Sequence, residues 1–204
     1  MKFRFYALKL SLAIIVVFIL QLLISGFTEL FVLNEFSWSE PWRFVRAIFL
    51  HGSLAHLVLN LFALILFGSI LENMIGGRRF LLVFFVTGIL ANLISINFYS
   101  SSLGASGAIF GVLGALVLIR PLMIIWAFGM PMPMFVAGIL WAVQDMIGVF
   151  NPSGIGNIAH LSGMFFGLLF GAGYRQEVKR RWRRQEKMII DERSIRNWED
   201  NYMR

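Results

Sequence analysis

The chain has 204 residues, of which 58% are hydrophobic and only 14% are charged, and its mean hydropathy is +0.76. An average soluble domain is about half apolar, so this composition predicts a polytopic membrane protein. The chain has no cysteine, which excludes disulfides and thiolate metal sites. The net charge of +7 does not indicate a nucleic-acid partner, because most basic residues lie in short stretches beside apolar segments.

Six apolar segments predict an all-α membrane fold, a bundle of six transmembrane helices within residues 1–174. The predicted spans cover residues 8–27, 53–71, 80–99, 104–119, 131–149 and 157–174. Pro131 and Pro133 suit the first turn of the fifth span, where a missing donor costs little. Residues 122–130 are too short to cross and predict an interfacial or buried linker. Residues 175–204 are a charged tail, which is either a surface-lying helix or disordered.

The distribution of basic residues predicts the orientation. Six spans put both termini on one side, and that side then holds all 18 Lys and Arg residues except Arg43 and Arg46. Because cytoplasmic loops carry the excess of Lys and Arg, we expect both termini to be cytoplasmic and the bilayer to be the cell membrane.

Four polar side chains fall in one layer near the outer ends of three spans. His56 lies about one turn inside the second span, and Asn60 lies one turn deeper. Ser106 and His160 lie in the first turns of the fourth and sixth spans. At 1.5 Å per residue, all four fall within roughly 10 Å of the outer boundary. Because polar groups inside a span are costly, they are candidates for a functional site.

These residue types point to acyl transfer. A serine hydroxyl is a weak nucleophile that needs an adjacent base, and His160 and His56 both qualify by type. His56 and Asn60 share one helix face because they are four residues apart. Their donors, together with backbone N–H groups at the start of the fourth span, suit a developing oxyanion.

Two stripes of small residues predict a close approach of the fourth and sixth spans. On the sixth span, three glycines follow His160 along one face: Gly163, Gly167 and Gly171. On the fourth span, three lie beside Ser106: Gly107, Gly111 and Gly114. Small residues let helix backbones come close in a bilayer, so we expect these spans to bring Ser106 and His160 together.

Together these motifs resemble the rhomboid family of intramembrane serine proteases. They include a G-x-S-G nucleophile motif, a second-span histidine and asparagine motif and a sixth-span histidine motif. In chain order the matching segments are Trp42-Arg43, 51–60, the turn 72–79, 104–111 and 159–163.

The resemblance implies a serine endopeptidase that hydrolyses peptide bonds in or near the transmembrane segments of membrane-protein substrates. It implies that Ser106 is the nucleophile and His160 the general base, with no cofactor and no metal. It also implies that His56, Asn60 and the backbone N–H groups of Ala105 and Ser106 stabilise the oxyanion.

The resemblance further implies an architecture around the dyad. The ring of Phe110 is expected to stack on His160, at a position where the family often has tyrosine. The loop 151–156 is expected to cover the site, and the fifth span to act as the substrate gate.

Other readings of the sequence remain open. Asp145 could complete a Ser-His-Asp triad, but the family pattern has no acid there, and we expect it to cap a loop or face water. A metalloprotease is disfavoured because no His-Glu-x-x-His occurs, and His51 is expected at the interface, at the mouth of the second span. A transporter is also disfavoured, because it would be expected to show charges or broken helices near the midplane and the sequence shows neither.

Overall fold

A computed structural model describes residues 5–151 and 154–203; the side chains of residues 185–191 are outside this description. The helices are α1 (Tyr6–Leu23), α2 (Phe27–Phe31), α3 (Arg43–Arg46), α4 (Leu54–Ala63), α5 (Ser69–Ile75), α6 (Gly77–Ser95), α7 (Ser106–Ile119), α8 (Met134–Phe150) and α9 (Asn157–Tyr202). The short strands form two antiparallel pairs: β1 (Leu33–Asn34) with β2 (Ser101–Ser102), and β3 (Ile124–Ala127) with β4 (Met130–Pro133).

The molecule is a helical membrane bundle, as the sequence predicts. Among the described residues, three helices are long and apolar enough to cross a bilayer: Tyr6–Leu23, Leu54–Ile75 and Gly77–Ser95. The second is continuous because a π-helical turn, Leu64–Gly68, joins α4 to α5. Large apolar side chains such as Leu22, Leu59 and Ile139 are exposed on the outside of the bundle. Lipid tails solvate such a surface, whereas in water it would favour aggregation.

Helix α7 lies at the centre of the bundle, packed between α6 and α9. Most of its side chains are buried, from Gly107 near its start to Ile119 at its end. A helix that is apolar on every side is stable only when other elements surround it. The element that begins with Ser106 is therefore the most enclosed part of the fold.

The predicted contact between the two glycine stripes is confirmed. A Cβ on Gly163 would lie 2.0 Å from the carbonyl oxygen of Gly107, and a Cβ on Gly167 would lie 2.0 Å from that of Gly111. No side chain other than hydrogen fits these positions without moving the backbone. α7 and α9 are therefore in backbone contact directly below the first turns that hold Ser106 and His160.

The long first loop is fixed to the bundle by Arg43. This buried guanidinium donates to the backbone carbonyls of Glu29 and Val32, at 2.8 and 2.9 Å. The loop is then tied to the segment before α7, because β1 pairs with β2 and the N–H of Gly104 donates to the carbonyl of Ala47 at 2.9 Å. The backbone leading to Ser106 is thus held from both sides.

The segment before the fifth span differs from the prediction. Residues 122–130 are not a simple linker, because a β-hairpin occupies Ile124–Ala127 and Met130–Pro133. Pro131 and Pro133 therefore lie in a strand, not in the first turn of a helix, and α8 begins at Met134. Proline is tolerated there because both strands of a two-stranded hairpin are edge strands.

The bounds at the two ends also differ. The first helix ends at Leu23 and not at residue 27, because Gly26 adopts a positive φ of 80° and starts the separate short helix α2. In the tail, the sixth helix does not stop near residue 174 but continues to Tyr202 as one helix of 46 residues. Lys2 and Arg4 of the predicted basic N-terminus lie outside the described residues.

Candidate active site

One cavity brings the predicted polar residues together. Its volume is about 1210 Å³, and it opens among α4, α7, α8 and α9. Six side chains that matter for the chemistry line it: His56, Asn60, Ser106, Phe110, Asp145 and His160. The four predicted residues His56, Asn60, Ser106 and His160, which come from three helices, therefore share one site, and Asp145 joins them.

The first turn of α7 presents Ser106 to this cavity. Gly104 precedes it with a φ of +124°, a conformation that favours glycine. A Cβ at Gly104 would lie 2.9 Å from Nε2 of His56 and 3.9 Å from Oγ of Ser106. The absence of that Cβ leaves room for the imidazole of His56 beside the segment that holds the serine hydroxyl. The first N–H groups of α7 have no partner within the helix, so they are available to an anion.

Local capping positions His56 and Asn60 on α4. The helix begins after Ser53, whose hydroxyl accepts the backbone N–H of His56 at 3.1 Å. The side-chain amide of Asn60 donates one hydrogen to the carbonyl of His56 at 2.9 Å. A primary amide has two hydrogens, so one remains for a ligand.

His160 lies in the first turn of α9 and is held by an aromatic ring. The ring of Phe110 stacks on the imidazole with a centroid distance of 4.3 Å and an interplanar angle of 6°. The N-terminus of α9 is fixed in turn by Tyr99, whose hydroxyl accepts the N–H of Ile158 at 3.1 Å. Sequence reasoning missed this role of Tyr99, because the bond joins residues that are distant in the chain.

The position of Asp145 corrects the sequence prediction. This carboxyl neither caps a loop nor faces water: it is buried, and its Oδ1 lies 3.0 Å from Nδ1 of His160. The exposed side-chain fractions of the pair are 8% and 12%. The sequence held a usable signal, because an acid alone within an apolar span is a functional candidate by default. Of the described contacts, none is a direct hydrogen bond from Ser106 to His160, which is common before substrate binds.

His51, at the mouth of the second span, is almost fully buried within the protein, and its ring meets that of His56 edge to face at 4.9 Å. Its Nδ1 lies 3.3 Å from the carbonyl of Phe49, while Nε2 is the one buried side-chain nitrogen or oxygen without a partner in the described part of the chain. Burial, with a smaller contribution from the nearby His56, lowers the pKa of His51 to about 4.

The described residues contain no cluster of three or more His, Cys, Asp or Glu side chains arranged to hold a metal ion. Two residues of the predicted covering loop, Pro152 and Ser153, lie outside the described residues. The arrangement as described joins a hydroxyl, an imidazole paired with a carboxylate, and a group of donors around one cavity. Such a set can carry out nucleophilic acyl transfer.

Comparison with known proteins gives several similar sequences. The chain is 30% identical over 135 residues to "RHOMBOID-like protein 6, mitochondrial" of Arabidopsis thaliana, covering 65% of this chain and 43% of that protein. It is 35% identical over 152 residues to "Putative rhomboid protease YdcA" of Bacillus subtilis, covering 70% and 72%. It is 48% identical over 80 residues to "Rhomboid protease GluP" of the same organism, covering 38% and 16%.

These similarities cover unequal parts of the relatives. The match spans less than half the length of the Arabidopsis protein and a small part of GluP. The family profile described as "Rhomboid domain" matches residues 38–177, which include part of the first loop, the cavity and the start of the tail. This match covers more than half of the chain, so the protein belongs to the rhomboid family.

Proposed function

We propose that this protein is an intramembrane serine endopeptidase that uses a Ser106–His160 dyad to hydrolyse peptide bonds in or near transmembrane segments. The observation that carries the proposal is the shared cavity, in which a serine at a helix N-terminus and a histidine stacked on Phe110 come from separate helices. The relatives named as rhomboid proteases support the same activity.

In the proposed reaction, Oγ of Ser106 attacks the scissile carbonyl carbon as His160 takes the hydroxyl proton on its free ring nitrogen. The tetrahedral intermediate collapses when the same nitrogen returns the proton to the leaving amine. Water then repeats the sequence on the acyl-enzyme and regenerates the free serine. No cofactor or metal takes part in this scheme.

The oxyanion that forms in both steps needs preorganised donors. We assign this role to the backbone N–H groups of Ala105 and Ser106 and to the side chains of His56 and Asn60. A Cβ at Gly104 would lie within 4 Å of both His56 Nε2 and Ser106 Oγ, so the two groups border the same space, which supports the assignment. The remaining amide hydrogen of Asn60 is its available donor.

The substrates in this proposal are transmembrane proteins, and the lipid bilayer delivers them sideways to the cavity past α8, the substrate gate. Residues 1–174 form the protease domain, and residues 175–204 form a cytoplasmic tail. Both termini face the cytoplasm, and the site lies near the outer side of the cell membrane. The charge distribution of the loops supports this orientation.

A serine-directed fluorophosphonate tests the dyad without knowledge of the natural substrate. We expect the purified protein in detergent to be labelled at Ser106, and the His160→Ala variant to be labelled at no more than about one hundredth of that rate, the lower limit for a positioned general base. Ser106→Ala should show no labelling and no cleavage of a model transmembrane substrate.

The exposed hydroxyl of Ser39 in the first loop is the matched control. Ser39→Ala should be labelled and should cleave like the wild-type protein. Cleavage by correctly folded Ser106→Ala, or labelling that ignores the loss of His160, would contradict the mechanism. A folded wild-type protein that binds transmembrane segments without reacting would instead indicate a membrane-binding relative.

A further inference from the structure

The contact between Asp145 and His160 assigns the two ring nitrogens different tasks. Nδ1 lies 3.0 Å from a carboxylate oxygen of Asp145, so it carries the hydrogen that this oxygen accepts. Nε2 is then the nitrogen with a free lone pair. A histidine acts as a base only through an unprotonated nitrogen, so its tautomer decides whether it can serve Ser106.

Asp145 belongs to the inward face of α8. The buried residues of that helix form one stripe, which comprises Met134, Ala137, Gly138 and Asp145. One turn further on, a Cβ at Gly148 would lie 2.5 Å from the side-chain nitrogen of Asn157, so α8 packs directly on the start of α9. The carboxyl is therefore held at the helix contact and is not free to leave for solvent.

The burial of this acid is costly unless it has a partner. An ionisable group within an apolar helix is rare, and it is tolerated when it is paired or faces a polar cavity. The neighbouring side chains of Met146 and Ile147 are exposed on the lipid side of α8. Asp145 faces away from them, and His160 is its partner.

We propose that Asp145 is a positioning residue for His160, so that the site works as a serine, a histidine and an orienting carboxylate. This inference rests on the proposed protease function and deepens it. The carboxylate accepts the Nδ1 hydrogen and fixes the tautomer, while Phe110 fixes the plane of the ring. When Nε2 takes the proton of Ser106, the resulting imidazolium lies beside the negative charge of Asp145, which itself gains no proton.

Two variants separate orientation from folding. Asp145→Asn keeps the size of the side chain and removes its charge, and we expect kcat to fall on the order of tenfold to a hundredfold while KM stays within about twofold. Asp145→Leu removes every polar atom. Its reaction with a fluorophosphonate should be slowed, but in a His160→Ala background the same substitution should cause no further loss, because the carboxylate acts through the imidazole.

Nuclear magnetic resonance of ¹⁵N-labelled histidine gives a readout that needs no activity. In the wild-type protein the His160 ring should be a single form with hydrogen on Nδ1, assigned by its absence from the His160→Ala spectrum. In Asp145→Leu the ring should become a mixture of the two tautomers. Leu169→Ala, which shortens an exposed side chain on the helix that carries His160 and lies outside the proposed gate, is the control and should leave both kcat and the ring signal unchanged.

Four outcomes decide the proposal. Wild-type kcat in both Asp145 variants would overturn it, and so would a ring signal that stays in the Nδ1–H form in Asp145→Leu. A lower melting temperature with an unchanged ring signal would show a purely structural role and would also contradict it. If the wild-type protein does not cleave or label but the ring signal responds to Asp145, the protease function fails and the positioning role stands.

Discussion

The fold disfavours a positive charge on His51. Its ring is buried, Nδ1 lies near the carbonyl of Phe49, and Nε2 has no acceptor. A protonated ring needs acceptors for both hydrogens, and here it would also lie 4.9 Å from the ring of His56. The neutral form is therefore favoured, in agreement with its pKa of about 4 in the folded protein.

This difference predicts acid sensitivity of folding. In the unfolded chain His51 has a pKa of 6.5, so between pH 6.5 and 4 the unfolded state binds the extra proton. The contribution of His51 to the free energy of unfolding is fully present above pH 6.5. It is lost as the pH drops toward 4, which lowers the free energy of unfolding by on the order of 3 kcal/mol. Melting temperatures in detergent should show a smaller loss for His51→Phe than for the wild-type protein over this range.

At pH 7.5 the comparison serves as its own control, because the imidazole is neutral in both states. A wild-type protein that loses no stability in acid, or a His51→Phe variant that loses as much, would show that His51 is not responsible. Activity need not be measured, so this outcome is independent of the proposed reaction.

The sequence was sufficient to predict which polar residues share the site, but it did not predict which side chains are buried. Ser106, His160, His56 and Asn60 could be grouped because helical rise converts sequence position into depth. The same depth argument applied to Asp145, but depth does not say which way a side chain faces. Its direction depends on how α8 is rotated against α9, a tertiary contact that no local pattern encodes. The burial of His51 could not be predicted for the same reason, because it too depends on tertiary contacts.

Among the elements, α7 and α9 form the contact on which the site depends. In lipid there is no hydrophobic force between helices, and association relies on close packing of small residues. Gly163 and Gly167 meet the carbonyls of Gly107 and Gly111 directly. Since neither helix can shift away without losing this contact, the spacing of Ser106 and His160 follows from it.

Gly167→Ala tests this contact. The added Cβ would lie 2.0 Å from the carbonyl oxygen of Gly111, so the helices must separate or tilt. We expect a loss of about 1–3 kcal/mol in stability. We also expect slower fluorophosphonate labelling of Ser106, by up to about a hundredfold if the dyad is displaced by 1 Å.

Gly173 provides the matched control on the same helix, because nothing lies within 4 Å of the Cβ it would gain. Gly173→Ala should therefore leave the melting temperature and the labelling rate at wild-type values, or raise stability slightly through helix propensity. Equal effects of the two substitutions would mean that glycine flexibility, and not backbone contact, governs α9.

Two elements escaped sequence prediction for physical reasons. Ile124–Ala127 contains no polar residue, so it lacks the alternation that marks a half-buried strand. The continuation of α9 beyond residue 174 is held by contacts with residues that are distant in the sequence. Arg79 donates to both carboxylate oxygens of Glu177 at 2.8 Å, and Arg120 lies 3.7 Å from the ring centroid of Trp182. Local composition could not distinguish this helix from a disordered tail.

At the scale of the whole molecule, the asymmetry of basic residues supports the proposed orientation of the bundle in the membrane. Arg43 and Arg46 are the two basic residues of the side we assign to the exterior, and Arg43 is buried in internal bonds. The opposite side carries the tail and the turn with Arg78 and Arg79. The basic residues fall on one side of the membrane only if the chain crosses it an even number of times. An odd number of spans would therefore contradict the proposed orientation as well.

The absence of cysteine from the sequence makes this orientation directly testable. Single substitutions Ser39→Cys in the first loop and Asn201→Cys in the tail lie at exposed positions. In intact cells, a membrane-impermeant maleimide should label Cys at position 39 and should label position 201 only after permeabilisation. Both should react in detergent, and labelling of position 201 in intact cells would reverse or remove the proposed topology.

The backbone contact between α7 and α9 also limits how this protein can evolve. A distance set by side chains can be tuned in small steps, since one methylene can be exchanged for another. Where hydrogen is the largest group that fits, as at Gly163 and Gly167, no neighbouring residue type offers a small step. The spacing between Ser106 and His160 is thus protected from gradual sequence drift, and variation in the site must arise in other parts of the cavity wall.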